Sequence, residues 1–221
     1  MTAPTTLAPR CRSPLRPIAK IGSSGGRQLS EANDVSTWRS RQRERLIAAR
    51  LDLAPTVRAA AENAIVRTLI THLGVTNPGV VGCYWPHQGE PNLYGAMLRI
   101  IDLGGRVALP APVRPHRPME FRGWGPQSKM IPGVGGILQP ASGEPLSPDM
   151  LIIPIVGFDA RGYRLGYGGG YYDRTLAALS PRPPTLGVGF ELGRLKTLHR
   201  QPHDVPLDAI VTEAGLHKLA R

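Results

Sequence analysis

The sequence is poor in cysteine and has no long apolar run. Two of its 221 residues are cysteine, Cys11 and Cys83, too few for a disulfide framework, which favours a reducing, intracellular setting. No stretch reaches the roughly 18–20 consecutive apolar residues that a membrane helix requires, so the sequence predicts no membrane-spanning segment. Hydrophobic residues nevertheless make up 41% of the chain, and its length allows the core of one α/β domain.

Motifs typical of zinc sites and of common hydrolases are also missing. There is no Cys-x-x-Cys or His-Glu-x-x-His spacing, and the six histidines are scattered, so zinc is a poorer fit than magnesium. No Gly-x-Ser-x-Gly stands at a turn from a predicted strand to a helix, so a Ser-His-Asp hydrolase is unsupported.

Acidic residues are scarce in the first part of the chain, where none precedes Glu31. Residues 1–50 hold ten Lys or Arg and three Asp or Glu, and so carry +7 of the formal net charge of +11. A nucleic-acid binder is one interpretation of this excess. Because no nucleic-acid module signature is present, we favour a basic tail and one basic helix in a protein whose ligands are anions.

The first 33 residues differ in composition from the rest. Residues 1–33 are rich in Pro, Ser, Thr, Gly and Arg and have no hydrophobic period, which predicts a disordered tail; residues 34–221 are predicted to form a single domain. An Arg-rich, acid-poor start is also typical of an organelle transit peptide, but four prolines would break the amphipathic helix of such a peptide. We therefore expect a cytoplasmic protein, with organelle import as the less favoured alternative.

Hydrophobic periodicity predicts strands and helices in alternation. Helices are expected from Ser36 to about Asp52, from Pro55 to about His72, and over about 92–103 and 170–179. Strands are expected at 80–85, 106–110, 119–124, 151–156, 185–190 and 209–212, with a long irregular connection over 125–148. This alternation predicts an α/β fold, a three-layer, mostly parallel, Rossmann-like sheet with helices on both faces. Pro154 argues against a central strand, because proline cannot donate to a ladder.

A glycine-rich segment follows Arg164 and reads Leu165-Gly166-Tyr167-Gly168-Gly169-Gly170-Tyr171-Tyr172-Asp173-Arg174. It lacks the Gly-Lys-Ser/Thr ending of a P-loop, which is thereby excluded. A dinucleotide-binding loop begins at the end of its strand, whereas residues 158–165 intervene here; in that alternative, Glu191 would be the ribose-binding acid of an oxidoreductase. A flexible turn would explain the glycines but not the charged residues Arg164, Asp173 and Arg174 around them.

A polyphosphate-binding loop accounts for both the glycines and the charges. Glycines let backbone N–H groups approach phosphate oxygens, and the start of the following helix adds a partial positive charge. Arg164 can neutralise a phosphate through two hydrogen bonds. Asp173 offers a hard oxygen ligand for the Mg²⁺ that accompanies ATP. The segment therefore predicts a site for ATP with its magnesium ion.

Three other groups of residues have both a structural and a functional interpretation. In the segment 84–90, either the aromatic residues cover the edge of the core and Glu90 caps a helix, or Trp85 and Glu90 hold a flat heterocycle by its face and its amino-bearing edge. Asp204 either turns the chain or binds metal. Four arginines that alternate along the first helix form a solvated face or send one or two guanidinium groups to phosphates: Arg39, Arg41, Arg43 and Arg45.

Over roughly residues 36–216 the chain resembles the 5-formyltetrahydrofolate cyclo-ligase family (methenyltetrahydrofolate synthetase). The most specific part is Pro154-Ile155-Val156-Gly157-Phe158-Asp159, Gly162 and the segment from Arg164 to Arg174. The basic helix with Leu53-Ala54-Pro55 and Arg58, the segment 84–90, and His203-Asp204 through Val211-Thr212 stand in the family's order. The resemblance implies ATP-dependent closure of 5-formyltetrahydrofolate to 5,10-methenyltetrahydrofolate, with release of ADP and phosphate.

The resemblance also implies roles for individual residues. Arg164 and Tyr172 would be catalytic. ATP would be bound by the first helix and the glycine-rich segment through Arg39, Arg43, Arg164, Leu165, Gly166, Tyr167, Gly168, Gly169, Gly170, Tyr171 and Tyr172. The folate would be held by Trp85, Glu90, Tyr167, Gly168, Gly169, Gly170 and Tyr171. Asp173 and Asp204 would bind Mg²⁺.

The implied partners are small molecules, ATP as co-substrate and a reduced folate whose anionic polyglutamate tail the basic surface would suit. We expect a monomer, with neither nucleic acid nor membrane as partner. The family usually has Lys in place of Arg39, and the two are not equivalent at a phosphate contact. Some members have basic residues in place of Tyr167 and Gly169, so the loop of this chain is expected to depend more on its backbone N–H groups.

Overall fold

The computed structural model describes Met1 and residues 24–74, 77–114 and 116–219, with residues 24–33 described by their backbone alone. These residues form four α-helices, α1 (Ser24–Leu51), α2 (Pro55–Leu73), α3 (Tyr94–Asp102) and α4 (Tyr171–Ala178). In this part of the chain no helix has both the length and the apolar character needed to cross a membrane. The predicted tail over residues 2–23 lies outside the described residues, so its disorder stays a prediction.

The strands, in chain order, are β1 (Val80–Gly82), β2 (Arg106–Ala111), β3 (Glu120–Trp124), β4 (Met130–Pro132), β5 (Leu138–Pro140), β6 (Met150–Pro154), β7 (Gly157–Phe158), β8 (Arg164–Leu165), β9 (Thr185–Val188), β10 (Ala209–Thr212) and β11 (Gly215–Lys218). Seven of them form the main sheet, in the order β11-β10-β9-β6-β1-β2-β3. The five central strands are parallel, and the edge strands β3 and β11 are antiparallel to their neighbours. Two short antiparallel ribbons, β4–β5 and β7–β8, lie outside this sheet.

Apolar side chains alternate between the two faces of the sheet, because successive residues of a strand point to opposite sides. On one face, Val107 and Ile152 belong to the core that α2 and α3 share with the sheet. On the other face, Leu151 and Ile153 pack in a second core with Leu176 of α4. Helices therefore cover both faces, and the predicted three-layer, mostly parallel α/β fold is confirmed.

The direction in which strands are added reverses between β1 and β6. β1 is followed by β2 on one side, whereas β6 is followed by β9 and β10 on the other. In open α/β sheets, ligands bind beyond the carboxyl ends of the strands at such a reversal. Here the chain leaves β1 as residues 83–90 and leaves β6 as residues 155–170, so both sequence-predicted ligand segments meet at this point.

α1 packs over the same carboxyl edge, where its Leu46 is fully buried with Val156, Leu165 and Leu198. The predicted helix start at Ser36 is wrong, because the helical backbone begins at Ser24. No proline stands between Pro17 and Pro55, so no missing N–H group interrupts the helical hydrogen bonds between Ser24 and Leu51. The predicted domain boundary at residue 34 stays a prediction.

Pro154 ends β6 without weakening the centre of the sheet. The amides of Leu151 and Ile155 donate to the carbonyls of Pro184 and Val188, at 2.9 and 3.0 Å, so by alternation position 154 is directed toward β1. The pairing of β1 with β6 extends only to Gly82 and its partner Leu151. The N–H that proline lacks would therefore have met no ladder partner, and the objection to a central β6 does not apply.

The β7–β8 ribbon and two further features of the fold were not predicted. The β4–β5 ribbon lies within the connection over 125–148 that was expected to be irregular, and β11 adds an antiparallel edge strand. Each strand of the ribbon has three residues and ends in a proline, and β11 contains Gly, His and Lys. Such short or polar segments give no clear alternation of apolar residues, so the pattern could not reveal them.

Candidate active site

A cavity of about 460 Å³ opens at the carboxyl edge of the sheet. All the residues that the sequence assigned to catalysis, ATP, folate or metal line this cavity. Pro110 and Pro154, at the ends of β2 and β6, also line it, as do Val134, Ile137 and Gln139 of the β4–β5 ribbon. Residues from seven separate parts of the sequence thus face one space.

The glycine loop, residues 166–170, joins the β7–β8 ribbon to α4. Gly168 and Gly170 have φ angles of +90° and +64°, which residues with a side chain rarely adopt. A Cβ atom on Gly168 would also lie 3.2 Å from Nη2 of Arg43. Within the described residues, the N–H groups at 167–169 donate to no protein acceptor. Free donors next to a helix N-terminus suit an anion.

Two arginines donate hydrogen bonds to carbonyl groups of the same loop. Nε of Arg43 donates to the carbonyl of Gly166 at 2.6 Å, and Nη2 of Arg174 donates to the carbonyl of Gly169 at 2.7 Å. Burial and the neighbouring Arg39 lower the pKa of Arg43. The loop is thereby fixed from its acceptor side while its donors stay available.

Arg164 and Asp173 form an ion pair beside the loop, with 2.7 Å between Nη2 and Oδ1. The Arg164 side chain is 5% exposed, and its Nη1 donates to the carbonyl of Val205 at 2.7 Å. The amide of Val205 in turn donates to Oδ1 of Asp173 at 3.1 Å. Because Asp204 precedes Val205, the segments that carry the two predicted metal ligands are in direct contact.

Asp204 is paired with Arg39 of α1. Nη1 and Nη2 of Arg39 donate to Oδ1 and Oδ2 at 3.2 and 2.5 Å, and the amide of Gln201 donates to Oδ2 at 2.7 Å. Burial alone would raise the pKa of Asp204, but the hydrogen bonds from Arg39 and Gln201 outweigh it and hold that pKa below its ordinary value. The carboxylate therefore stays ionised, as a metal ligand must be.

The arginines of α1 divide between the cavity and the solvent. Arg39 and Arg43 are one helical turn apart and both line the cavity, as residues at i and i+4 share a face. Arg45 is exposed, and its Nη2 donates to Oε1 of Gln42, three residues earlier on the same helix, at 2.9 Å. The sequence left open whether these arginines form a solvated face or send one or two guanidinium groups to phosphates. Arg39 and Arg43 face the cavity, as the second interpretation requires.

The segment after β1 forms a wall of the cavity beside Tyr167 of the glycine loop. Trp85 lines the cavity, and its ring lies 6.1 Å from that of Trp124 at an interplanar angle of 56°. Glu90 is 4% exposed. It does not cap α3, since the cap residue of that helix is Leu93 and no side-chain cap is formed. The prediction that Glu90 caps this helix is therefore wrong.

Glu90 is held by hydrogen bonds to both of its carboxylate oxygens. The hydroxyl of Tyr167 donates to Oε1 at 2.9 Å, and the amide of His87 donates to Oε2 at 2.9 Å. Burial raises the pKa of Glu90 to about 7, although Arg50 and these hydrogen bonds act in the opposite direction. The carboxyl group therefore changes its charge close to neutral pH.

Tyr172 places a hydroxyl in the buried part of the site. It lines the cavity, and its hydroxyl oxygen is buried and has no hydrogen-bond partner among the described residues. Burial and the charge of Glu90 raise its pKa, so the hydroxyl keeps its proton. A buried donor without a partner is costly, and a ligand in the cavity would relieve that cost.

Sequence reasoning missed two polar residues of this region. Arg50 lies behind the wall and donates to the Tyr167 hydroxyl at 2.5 Å. It stands three helical turns after Arg39, on the same face of α1 as Arg43 and the buried Leu46. This spacing is a signal that could have pointed to Arg50. Gln139 of the β4–β5 ribbon lines the cavity, and its Oε1 is buried without a partner among the described residues. No local pattern pointed to Gln139, because its ribbon was itself not predicted.

The fold and the site together define an α/β protein in which a glycine loop, arginines, an indole and a buried carboxyl group line one cavity. A family model described as the 5-formyltetrahydrofolate cyclo-ligase family matches residues 35–213. The chain belongs to this family, and the resemblance seen in the sequence is confirmed.

Individual relatives agree with this assignment. A 5-formyltetrahydrofolate cyclo-ligase of Escherichia coli K12 is 31% identical over 152 residues, which cover 65% of this chain and 83% of that protein. One of Mycoplasma pneumoniae is 41% identical over 70 residues, which cover 32% of this chain and 42% of that protein. The structure of a 5,10-methenyltetrahydrofolate synthetase of Aquifex aeolicus has a TM-score of 0.67 and 26% identity, and the match covers 83% of this chain and 93% of that one.

Proposed function

We propose that this enzyme closes 5-formyltetrahydrofolate to 5,10-methenyltetrahydrofolate at the expense of ATP and releases ADP and phosphate. The observation that carries the proposal is one cavity that is lined both by the glycine loop with three arginines and by Trp85 with Glu90. The first set suits a polyphosphate and the second a pterin ring. Family membership adds that ATP is the co-substrate.

The nucleotide is proposed to bind at the glycine loop. In the described part of the chain the N–H groups at 167–169 have no protein acceptor, and Arg43 fixes the loop through the Gly166 carbonyl. Arg39, Arg43 and Arg164 line the same end of the cavity, so their charges can offset those of a triphosphate. Transfer of a phosphoryl group requires mainly alignment and charge neutralisation, which such a set provides.

Asp173 and Asp204 are proposed to hold the magnesium ion. The described residues contain no group of three or more His, Cys, Asp or Glu that could hold a metal, but Mg²⁺ commonly uses one or two carboxylates together with water and substrate phosphates. Each aspartate is now paired with an arginine, Arg164 or Arg39. Binding of Mg·ATP would exchange partners, since each carboxylate gains a cation while each guanidinium gains a phosphate.

The folate is proposed to bind against Trp85 and Glu90, bordered by the centre of the glycine loop. A flat ring can lie on the indole while an amino-bearing edge donates to the Glu90 carboxylate. Tyr167 belongs to the glycine loop, and its hydroxyl donates to Oε1 of Glu90, so it stands where the two substrates would meet.

The reaction follows from bringing these substrates together. The formyl oxygen attacks the γ-phosphorus of ATP and ADP leaves, which turns a poor leaving group into a phosphate ester. N10 then attacks the formyl carbon, its proton is lost, and the C–O bond breaks to release phosphate as the ring closes. Arg164 would offset charge on the transferred group, and the Tyr172 hydroxyl would donate a hydrogen bond to a reacting oxygen. No Ser or Cys nucleophile is needed.

Further attributes of the protein are also proposed. The excess of basic residues supports a polyglutamylated folate as substrate, and the low cysteine content supports a cytoplasmic location. A monomer is also proposed, and the lack of a nucleic-acid module signature in the sequence supports the proposal that no nucleic acid is a partner. Gel filtration and a salt-dependent RNA and DNA binding assay, each with the full chain, test these points.

The central experiment follows the methenyl chromophore with purified protein, 5-formyltetrahydrofolate, ATP and Mg²⁺. We expect absorbance to appear only when all four are present, with one ADP formed per product. Asp52→Asn, an exposed change at the end of α1, serves as a control with wild-type rates. No chromophore from folded protein would refute the proposal.

A further inference from the structure

Arg50 of α1 is a buried cation just behind the folate half of the cavity. The residue is 2% exposed. Its Nε donates to the carbonyl of Gln88 at 2.8 Å, and its Nη2 donates to the Tyr167 hydroxyl at 2.5 Å. Among the described residues, no carboxylate lies within ion-pair distance of it. Burying a charge is costly unless a nearby group balances it.

Glu90 is the buried anion that balances Arg50, and one hydroxyl stands between them. The Tyr167 oxygen accepts from Arg50 and donates to Oε1 of Glu90 at 2.9 Å. The guanidinium carbon also lies 5.7 Å from the centre of the Tyr167 ring. A chain of cation, hydroxyl and carboxylate therefore runs from α1 through the glycine loop to the wall that holds the predicted pterin ligand.

The backbone around this chain is held in place from α2. Arg58 donates to the carbonyl of Gly89 at 2.9 Å and also to the carbonyl of Arg50. It therefore ties the end of α1 to the turn that carries Glu90. With both ends fixed, the hydrogen-bonded side chains have little freedom, which is the condition for one residue to orient another.

We propose that Arg50 is a positioning residue for the folate: acting through the Tyr167 hydroxyl, it orients the Glu90 carboxylate and couples it to the glycine loop. This inference rests on the proposed function, because it takes Glu90 as the group that receives the pterin. Arg50 itself does not line the cavity, so its effect must pass through its two neighbours.

The charge of Glu90 is set by groups from every element around it. Arg50 from α1 favours the ionised form, as do the hydrogen bonds from Tyr167 and from the amide of His87. The hydroxyls of Tyr84, after β1, and Tyr172, on α4, also face it, and both are neutral because their pKa values are raised. Removal of Arg50 would therefore favour the protonated form of Glu90 and weaken the hydrogen bond that Glu90 accepts from the pterin.

The test compares Arg50→Met and Arg50→Lys with Arg45→Met, a change of an exposed arginine on the same helix that binds only Gln42. We expect Arg50→Met to raise the KM for folate about tenfold, the scale of one charge-assisted hydrogen bond, and to leave the KM for ATP within about twofold. The midpoint of the plot of folate KM against pH should move upward. Arg50→Lys should return that midpoint toward wild type while the KM stays raised, since it keeps the charge but not the fork of donors.

A double-mutant cycle with Tyr167→Phe checks the path of the effect. The combined change should differ from the product of the single effects by more than about twofold, because the two groups act through one hydrogen bond. If Arg50→Met does not fold, Arg50→Lys and Tyr167→Phe decide. Unchanged folate KM and pH midpoint in these variants, or purely additive effects, would overturn the inference. An inactive wild-type protein would instead refute the proposed function.

Discussion

The amide of Val205 donates a hydrogen bond to Oδ1 of Asp173 at 3.1 Å, across 32 positions of the chain. Arg164 binds both residues, through the carbonyl of Val205 and the carboxylate of Asp173. Asp204 directly precedes Val205, so this contact brings a second carboxylate to the glycine loop. The proposed magnesium site depends on that junction, and each of its members can be tested separately.

Asp173→Asn should lower turnover about 100-fold, the usual scale for losing one group that stabilises transferred charge. The amide can still accept from Arg164 and Val205, so the fold should survive with a loss of roughly 1–3 kcal/mol. Turnover as a function of Mg²⁺ concentration and a thermal melt provide the two readouts. Near-normal turnover would remove Asp173 from the metal site.

Arg164→Ala should raise the KM for ATP more than the KM for folate, because its guanidinium lies at the glycine loop. Arg182→Ala is a matched control, since Arg182 also pairs with an aspartate, Asp208, but does not line the cavity. Both changes should lower the melting temperature through loss of an ion pair. Steady-state kinetics with each substrate varied in turn separates the two effects, and an equal rise of both KM values would contradict the phosphate role.

Gly168→Ala should weaken ATP binding through the backbone. Alanine at a φ of +90° is strained by roughly 1–2 kcal/mol, and its Cβ would press on Arg43. Gly104→Ala provides the matched control, because φ is +83° there and the space is open, away from the cavity. Both variants should lose stability, and only Gly168→Ala should raise the KM for ATP. Equal KM values in the two variants would show that the loop tolerates the change.

Glu90 should make the free energy of unfolding depend on pH. Its pKa is raised from 4.5 to about 7 in the folded protein, so the folded state binds a proton more tightly than the unfolded state. The stability that this group contributes is therefore present below about pH 4.5 and is lost as pH rises toward 7. Urea unfolding of wild type and Glu90→Gln should show the wild type losing stability relative to the variant between pH 5 and pH 8.

The titration of Glu90 should also change the binding of folate, but here the ionised form is the favourable one. A carboxylate accepts hydrogen bonds better than a carboxylic acid, so folate KM should fall as pH rises through about 7 in the wild type. Glu90→Gln should have a higher KM that no longer changes over this range. A wild-type KM that is flat between pH 6 and pH 8 would contradict the assignment.

Much of the fold could be predicted because its core strands carry their signal locally. Residues 151–154 are apolar on both faces and form the central strand β6, and the glycines at 168 and 170 take the backbone conformations that favour glycine. The β4–β5 ribbon and β11 could not be predicted, because their segments are short or polar and lack the alternation of apolar residues that marks a strand. The start of α1 was placed too late, because the residues before 34 show no hydrophobic period that would indicate a helix.

The sequence by itself determined the chemical groups of this enzyme: the glycine loop, its flanking Arg164 and Asp173, and the separate Trp85, Glu90 and Asp204. It also determined the α/β class, because apolar patterning and glycine chemistry act over a few residues. Only the tertiary structure decided which of these groups share a cavity, that Asp204 reaches Asp173 through Val205, and that Arg50 faces Glu90 through Tyr167. Such contacts depend on the order of strands in the sheet and on the packing of α1 across its edge. No short segment of the sequence determines either of these.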